Sequence, residues 1–249
     1  MKALNYIRVV LVEPTHPGNI GATARAMANM GVKQLALVNP GEFPSPVATR
    51  RAAGADSILE NAGVFRRLED AIADCALVFG TTSRSRSIEW PSLVPWEAMS
   101  RAGEHAGHSR VAILFGRESS GLTNEELDCC HCMVHIPASP EFGSLNLASA
   151  VMVMLYELRK ALETGAGKMT RVNPESRATA RDLQHLYRHL NQVLNKIEFT
   201  SGRSTTLMRK IVRMFNRIHP YEQEVNILRG ILSSIESSLE NPLKKEEKR

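Results

Sequence analysis

Four short runs of Val, Leu and Ile, namely IRVVLV at 7–12, QLALVN at 34–39, CALVFG at 75–80 and VAILFG at 111–116, limit the possible folds more than anything else in the chain. Each run is hydrophobic almost without interruption, the pattern of strands buried on both faces. The stretches between them are amphipathic. NIGATARAMANMG at 19–31 sets Ile20, Ala24, Met27 and Met30 near helical spacing and ends at Gly31, a residue suited to a helix C-terminus. Strands alternating with helices imply a parallel sheet between helical layers. A further strand-like run, CMVHIP at 132–137, leads into SLNLASAVMVMLYELRKALE at 144–163. This segment reads as a helix apolar around most of its surface, hence one buried in a core or a subunit interface.

The sheet region ends near residue 164. TGAGKMTRVNPESRA at 164–178 has glycines, a proline and no apolar periodicity, which reads as a linker over 165–178. Residues 179–249 then read as a small all-α domain, with breaks near Ser201–Arg203 and His219–Pro220 and a disordered charged tail from Asn241. Charge divides at the same place. Residues 1–170 carry 16 Lys/Arg and 17 Asp/Glu, whereas residues 171–249 carry 15 and 9, so the basic surplus belongs to a polyanion-facing C-terminal module. No apolar run approaches the roughly 18 residues that cross a bilayer. Glu13 cuts short the only stretch that imitates a signal peptide. Four cysteines, three of them crowded at 129–132, suit a reducing compartment, and the expectation is a cytoplasmic protein without a membrane partner.

Two glycine loops invite nucleotide readings and resist them. GRESSGLTNEEL at 116–127 has the spacing of a phosphate loop, but Leu122 stands where the lysine belongs. Thr123 and Glu126 there form a capping box opening a helix, so the glycines make a sharp turn that is either structural or a presenter of backbone groups to a ligand. In EPTHPGNIGATARAM, Gly18 and Gly21 lack the dinucleotide spacing. Arg25, one turn into the following helix, is either a solvated arginine or a group aimed at a phosphate or activated oxygen. TTSRSRSIEWP at 81–91 sets Arg84 and Arg86 among hydroxyls before Trp90, a surface able to grip phosphates and stack a base. CCHC at 129–132 offers half a zinc site, with His135 near, but no second cysteine pair completes it.

Taken in order, NIGATARAMANMG, FGRESSGLTNEEL and IPASPEFGSLNLASAVMVMLYE resemble the three motifs of the SPOUT class of RNA methyltransferases. The likeness is greatest to the bacterial TrmJ family of tRNA (cytidine/uridine-2′-O-)-methyltransferases, and it runs through EVNILRGILSSIE at 224–236. It implies an α/β domain over 1–164 whose parallel sheet closes in a deep C-terminal trefoil knot, followed by the all-α domain. It also implies a homodimer and S-adenosylmethionine held in the knot loops, with no metal. Carried over by position, Thr81, Thr82, Ser83, Gly116, Ile136, Gly143, Ser144 and Leu145 would contact the cofactor. Arg25 would be the catalytic arginine, assisted by Ser144 and Asn146, with Asn19, Arg84, Arg86 and Glu118 facing RNA. The implied target is the ribose 2′-oxygen of nucleotide 32 in the tRNA anticodon loop. A ribosomal RNA target, another tRNA position, or a catalytically silent RNA-binding protein are the competing readings.

The residues themselves add a grip for RNA. In RSTTLMRKIVRMFNRIH at 203–219, Arg209, Arg213 and Arg217 recur every four residues on one helix face with Lys210 alongside. With the basic surplus of this region, that face reads as a contact for the tRNA backbone, the alternative being a solvated helix surface.

Overall fold

The computed structural model describes residues 2–83, 92–139, 141, 143–165, 176–199 and 204–240. A 3-10 turn at Lys2–Tyr6 leads into strand β1 (Ile7–Val12), helix α1 (Pro17–Met30), β2 (Gln34–Val38), α2 (Pro46–Ala52), α3 (Asp56–Glu60), β3 (Gly63–Phe65), α4 (Leu68–Ile72) and β4 (Cys75–Thr82). There follow β5 (Ser92–Leu93), α5 (Pro95–His105), β6 (Arg110–Phe115), α6 (Asn124–Asp128), β7 (Cys132–His135) and α7 (Leu147–Thr164). Helices α8 (Ala180–Lys196), α9 (Ser204–Ile218) and α10 (Glu222–Glu240) complete the described chain.

The strands form one sheet in the order β3-β2-β1-β6-β4-β7-β5, parallel at every pairing. Alternation along β1 shows why its sequence is apolar throughout. Ile7, Val9 and Leu11 enter a core shared with Ile20, Met27 and Leu155, while Val10 and Val12 enter the opposite core with Leu68, Ile72 and Leu122. Each such side chain, fully buried, contributes about 1.5–3 kcal/mol, and a polar residue in either register would face a dry layer.

Caps set the helix limits. Helix α1 starts at Pro17, two residues before the apolar period begins, because His16 caps it through Nδ1, which accepts from Gly18 N–H at 3.0 Å. It stops at Gly31, whose φ of 78° is left-handed. Helix α7 begins at Leu147 rather than at Ser144, since Asn146 Oδ1 accepts from Ala148 N–H and ends the preceding loop. Ser144 and Leu145 are thereby left exposed in that loop. Among the described residues no helix is long and apolar enough to cross a membrane.

The C-terminal helices have their own small core of Leu183, Leu186, Val193, Val225 and Leu232, yet they are docked on the sheet domain. Ala180 is part of the sheet's second core, Arg181 N–H donates to Ala73 C=O, and His219 Nε2 lies 2.7 Å from Ala76 O. Three residues expected in the linker pack here as well: Ala178 N–H donates to Pro220 C=O, Arg177 lies over the Tyr221 ring, and Ser176 C=O accepts from Glu222 N–H. Ala178 is fully buried, so residues 176–178 pack with the helical region. The expected break at Ser201–Arg203 and the tail from Asn241 lie outside the described residues.

Candidate active site

At the carboxyl ends of β4 and β6 and beside the start of α7 lies a cavity of about 290 Å³. In an open parallel sheet this is where ligands bind. All eight residues expected to touch a cofactor line it: Thr81, Thr82 and Ser83 from the end of β4, Gly116 after β6, Ile136 after β7, and Gly143, Ser144 and Leu145 before α7. The walls combine these backbone and hydroxyl groups with the apolar Phe115, Leu147 and Ala150. Thr81 Oγ1 donates to Leu114 C=O at 2.9 Å, tying the tip of β4 to β6.

Gly116 is required by the turn. A Cβ there would stand 2.2 Å from Gly121 C and Leu122 N, because the loop folds back on itself, with Gly121 N–H donating to Arg117 C=O and Gly121 at a φ of 71°. The expected capping box at Thr123 and Glu126 is present and starts α6. Sequence reasoning missed what anchors this loop. Arg117 Nε donates to Glu13 Oε2 at 2.9 Å, and its two Nη groups reach the Glu126 carboxylate at 3.0 and 2.9 Å. One guanidinium thus joins the end of β1, the glycine turn and the first turn of α6 in a paired fork geometry. The bond from Arg117 holds the Glu13 carboxyl below the ordinary carboxylate range, against the opposing effect of burial.

A second chain of hydrogen bonds runs along the cavity's outer wall. Glu118 accepts from Thr15 N–H and Oγ1–H, from His16 N–H and from Asn19 Nδ2 at 3.0–3.3 Å. Asn19 Oδ1 in turn accepts from Asn146 Nδ2 at 3.0 Å, and Asn146 caps α7. Burial acts to raise the Glu118 carboxyl, but the bonds from Asn19 and Thr15 together outweigh it and leave the group below its usual range. Asn19 and Glu118, expected to face RNA, and Asn146, expected to assist catalysis, therefore hold three loops to one another.

Arg25 is exposed on α1 and does not line the cavity, and among the described residues it has no hydrogen-bond or ion-pair partner. Ser144 presents an exposed side chain on the cavity wall. Arg84 and Arg86 lie outside the described residues. Of the arginine row on α9, Arg209 and Arg213 are engaged by the sheet domain: Arg209 Nε donates to Asp128 Oδ2 at 2.5 Å and Arg213 Nη2 to Asp128 Oδ1 at 3.2 Å. Asn216 Nδ2 adds bonds to the carbonyls of Asp128 and Cys130. Lys210 and Arg217 are exposed.

The four cysteines are free thiols. Burial pushes Cys75 up to about 11 and Cys129 up to about 12, so they stay protonated at neutral pH. His131 is buried with Nδ1 accepting from Val78 N–H, and its ring meets that of His219 edge-on at 4.8 Å. Among the described residues no group of three or more His, Cys, Asp or Glu is arranged to hold a metal ion.

Residues 6–156 match the model of the SpoU rRNA Methylase family, and residues 181–246 match that of the tRNA methyltransferase TrmJ, C-terminal domain. The chain is 48% identical over 235 residues to the tRNA (cytidine/uridine-2'-O-)-methyltransferase TrmJ of Sodalis glossinidius (strain morsitans), covering 94% of this chain and 92% of the relative. Its structure is similar to that of TrmJ from Z. mobilis ZM4, with a TM-score of 0.81 and 34% identity over 92% of this chain and 98% of the other. A structure solved for the 2-OH methylation of C/U34 on tRNA is 29% identical with a TM-score of 0.51, and spans 64% of this chain and 97% of its own.

Proposed function

The chain belongs to the SpoU rRNA methylase family, and from that membership we propose that it is a tRNA (cytidine/uridine-2′-O-)-methyltransferase that uses S-adenosylmethionine and acts at nucleotide 32 of the anticodon loop. The observation that carries this reading is the convergence of Thr81–Ser83, Gly116, Ile136 and 143–145 on one cavity at the carboxyl ends of the strands. Its mixture of backbone polar groups, hydroxyls and aliphatic wall fits a ligand with both adenosyl and amino-acid parts. The glycine turn at 116–121 leaves room for no side chain at Gly116, as a close-fitting cradle requires. The knot implied by the family is part of the same proposal.

When bound, the cofactor supplies a methyl group on a positively charged sulfonium. The chain's part is to hold the ribose 2′-oxygen near 3–3.5 Å from that carbon and in line, an orientation effect that is worth several kcal/mol. The hydrogen-bond chain Glu118–Asn19–Asn146 fixes the wall on which the Ser144 hydroxyl stands, and the proton leaving the 2′-oxygen passes to solvent through that hydroxyl or through an RNA phosphate oxygen. A charged guanidinium has no lone pair and cannot take that proton, so the role of arginine is to orient the adjacent phosphate and stabilise developing negative charge. Arg25 stands off the cavity of its own chain. In the homodimer that the family resemblance implies, the arginine that reaches the bound ribose comes from the second copy.

A second reading, modification of nucleotide 34, is raised by the neighbour that carries that activity, but its likeness spans 64% of this chain. Residues 181–246 match the TrmJ C-terminal domain, and nucleotide 32 is the position that the resemblance to the TrmJ family implies. Methyl transfer from labelled S-adenosylmethionine to unmodified tRNA, followed by nucleoside analysis and mapping, tests both. Label at 2′-O-methylcytidine or 2′-O-methyluridine 32, lost in Arg25→Ala, is the expected result. Label at 34 overturns the assigned position, and label on ribosomal RNA alone overturns the tRNA substrate.

A further inference from the structure

The strongest unassigned feature is a basic surface on the layer formed by α1 and α2. Together these helices carry Arg25, Arg50 and Arg51 and no acidic residue. All three arginines are exposed, and none has a carboxylate partner among the described residues. Several arginines elsewhere are paired with carboxylates: Arg8 and Arg110 share Asp74, Arg117 holds Glu13 and Glu126, and Arg209 and Arg213 hold Asp128. Neither Glu42 nor Glu118 is paired with these arginines. Glu42 accepts from Ser45 Oγ at the other end of α2, and Glu118 accepts its four hydrogen bonds from the loop before α1 and from Asn19.

The patch reaches the rim of the active site. Helix α2 crosses α1 so closely that a Cβ at Gly21 would fall 2.0 Å from Ala48 O. One turn earlier, a Cβ at Gly18 would meet Arg51 Cγ at 3.8 Å, so the Arg51 stem lies over the first turn of α1. The next residue, Asn19, bonds to Glu118, a residue of the cavity wall. The positive end of the α1 dipole adds to the same field, with no acid in that first turn to offset it.

We propose that Arg51, with Arg50 beside it, binds the phosphate backbone of the RNA substrate at the rim of the cavity. The proposal rests on the reading of the chain as an RNA methyltransferase and names a part of the grip that the α9 arginines do not supply, since two of those are held by Asp128. A purely structural role is the competitor: both arginines lie in the last turn of α2, where cations complement the helix C-terminus. The two roles differ in what they do to the salt dependence of binding.

The test compares the full-length wild type with R50Q/R51Q and R50K/R51K, measuring Kd for unmodified tRNA between 50 and 200 mM salt, the Kd for S-adenosylmethionine, and Tm. Two lost phosphate contacts reduce the slope of log Kd against log salt by about 1.4–1.8 and weaken binding on the order of tenfold or more at the low-salt end. The lysine variant, which keeps both charges, retains the slope, and cofactor affinity is unchanged in both. If the double glutamine variant folds poorly, Arg51→Gln alone reads the same quantity, with a slope change of about 0.7–0.9. A wild-type slope in the glutamine variants, with or without a lowered Tm, overturns the proposal. Failure of the wild type itself to bind or methylate tRNA overturns the underlying reading instead.

Discussion

Asn146 Nδ2 donates a 3.0 Å hydrogen bond to Asn19 Oδ1, joining the loop before α7 to the first turn of α1 across 127 positions of sequence. Because Asn146 Oδ1 also caps α7, the Asn146→Ala change removes two interactions at once. The expected loss is about 1 kcal/mol for the cap and about 1 kcal/mol for the bond to Asn19. Residues 143–145 form part of the cavity wall, so cofactor affinity should fall as well. Asn146→Asp keeps the cap acceptor and loses only the donor. Denaturant unfolding beside calorimetric cofactor titration checks this, and equal stability loss in both variants would show that the cap contributes nothing.

Gly116→Ala tests the cradle. The added methyl meets backbone of Gly121 and Leu122 at 2.2 Å, so the turn must open rather than a side chain move aside. Cofactor binding should drop below detection in a calorimetric titration, while the sheet, whose cores lie elsewhere, still gives a cooperative thermal transition. Retained affinity within a factor of three would mean that the turn takes no part in the site.

How far the sequence reveals this molecule depends on whether a partner is near in the chain. Strands β1, β2, β4 and β6 were legible because burial on both faces makes them continuously apolar, and the α6 capping box because both members lie within three residues. The resemblance to the SPOUT motifs singled out eight of the sixteen residues that line the cavity, which periodicity alone did not. The start of α7 was misplaced because Leu145 continues the apolar pattern past the cap at Asn146. Arg117 was passed over inside GRESSG because its partner Glu13 is 104 positions away. The α9 arginines were read as a free basic face since spacing shows only that they are aligned, and Asp128, 81 positions from Arg209, decides what they meet.

Asp128 is the electrostatic anchor of the helical region. Its carboxylate is largely shielded and accepts from both Arg209 and Arg213, while its backbone carbonyl accepts from Asn216. Asp128→Asn removes the charge from two charge-assisted bonds and leaves two guanidinium groups facing one amide. The expected cost is about 2 kcal/mol of stability. Limited proteolysis should then cut within the C-terminal helices before the sheet domain. Unchanged cleavage kinetics and an unchanged denaturation midpoint would show that docking depends on the apolar contacts alone.

The same docking surface carries a dependence on pH. His219 Nε2 bonds to Ala76 O, its ring meets His131 and His105 at 4.8 and 5.2 Å, and Arg177 donates to its carbonyl. Burial lowers its imidazole from 6.5 to about 4, and it drives the fully enclosed His131 well below the ordinary range as well. In the unfolded chain both groups take up protons near pH 6.5, whereas in the folded chain His219 does so only near pH 4. The unfolded state therefore binds more protons between these values, and stability rises with pH across that interval. It is complete above about 6.5 and is lost progressively as the pH falls toward 4. Glu118 and Glu13, held below their usual range, add to the decline only under more acidic conditions. Asparagine tolerates the φ of 53° found at residue 219 and does not titrate, so His219→Asn should flatten the stability profile between pH 6.5 and 4.5, measured by urea unfolding at fixed ionic strength. A variant profile parallel to that of the wild type would assign the acid sensitivity to His131 or to the carboxylates instead.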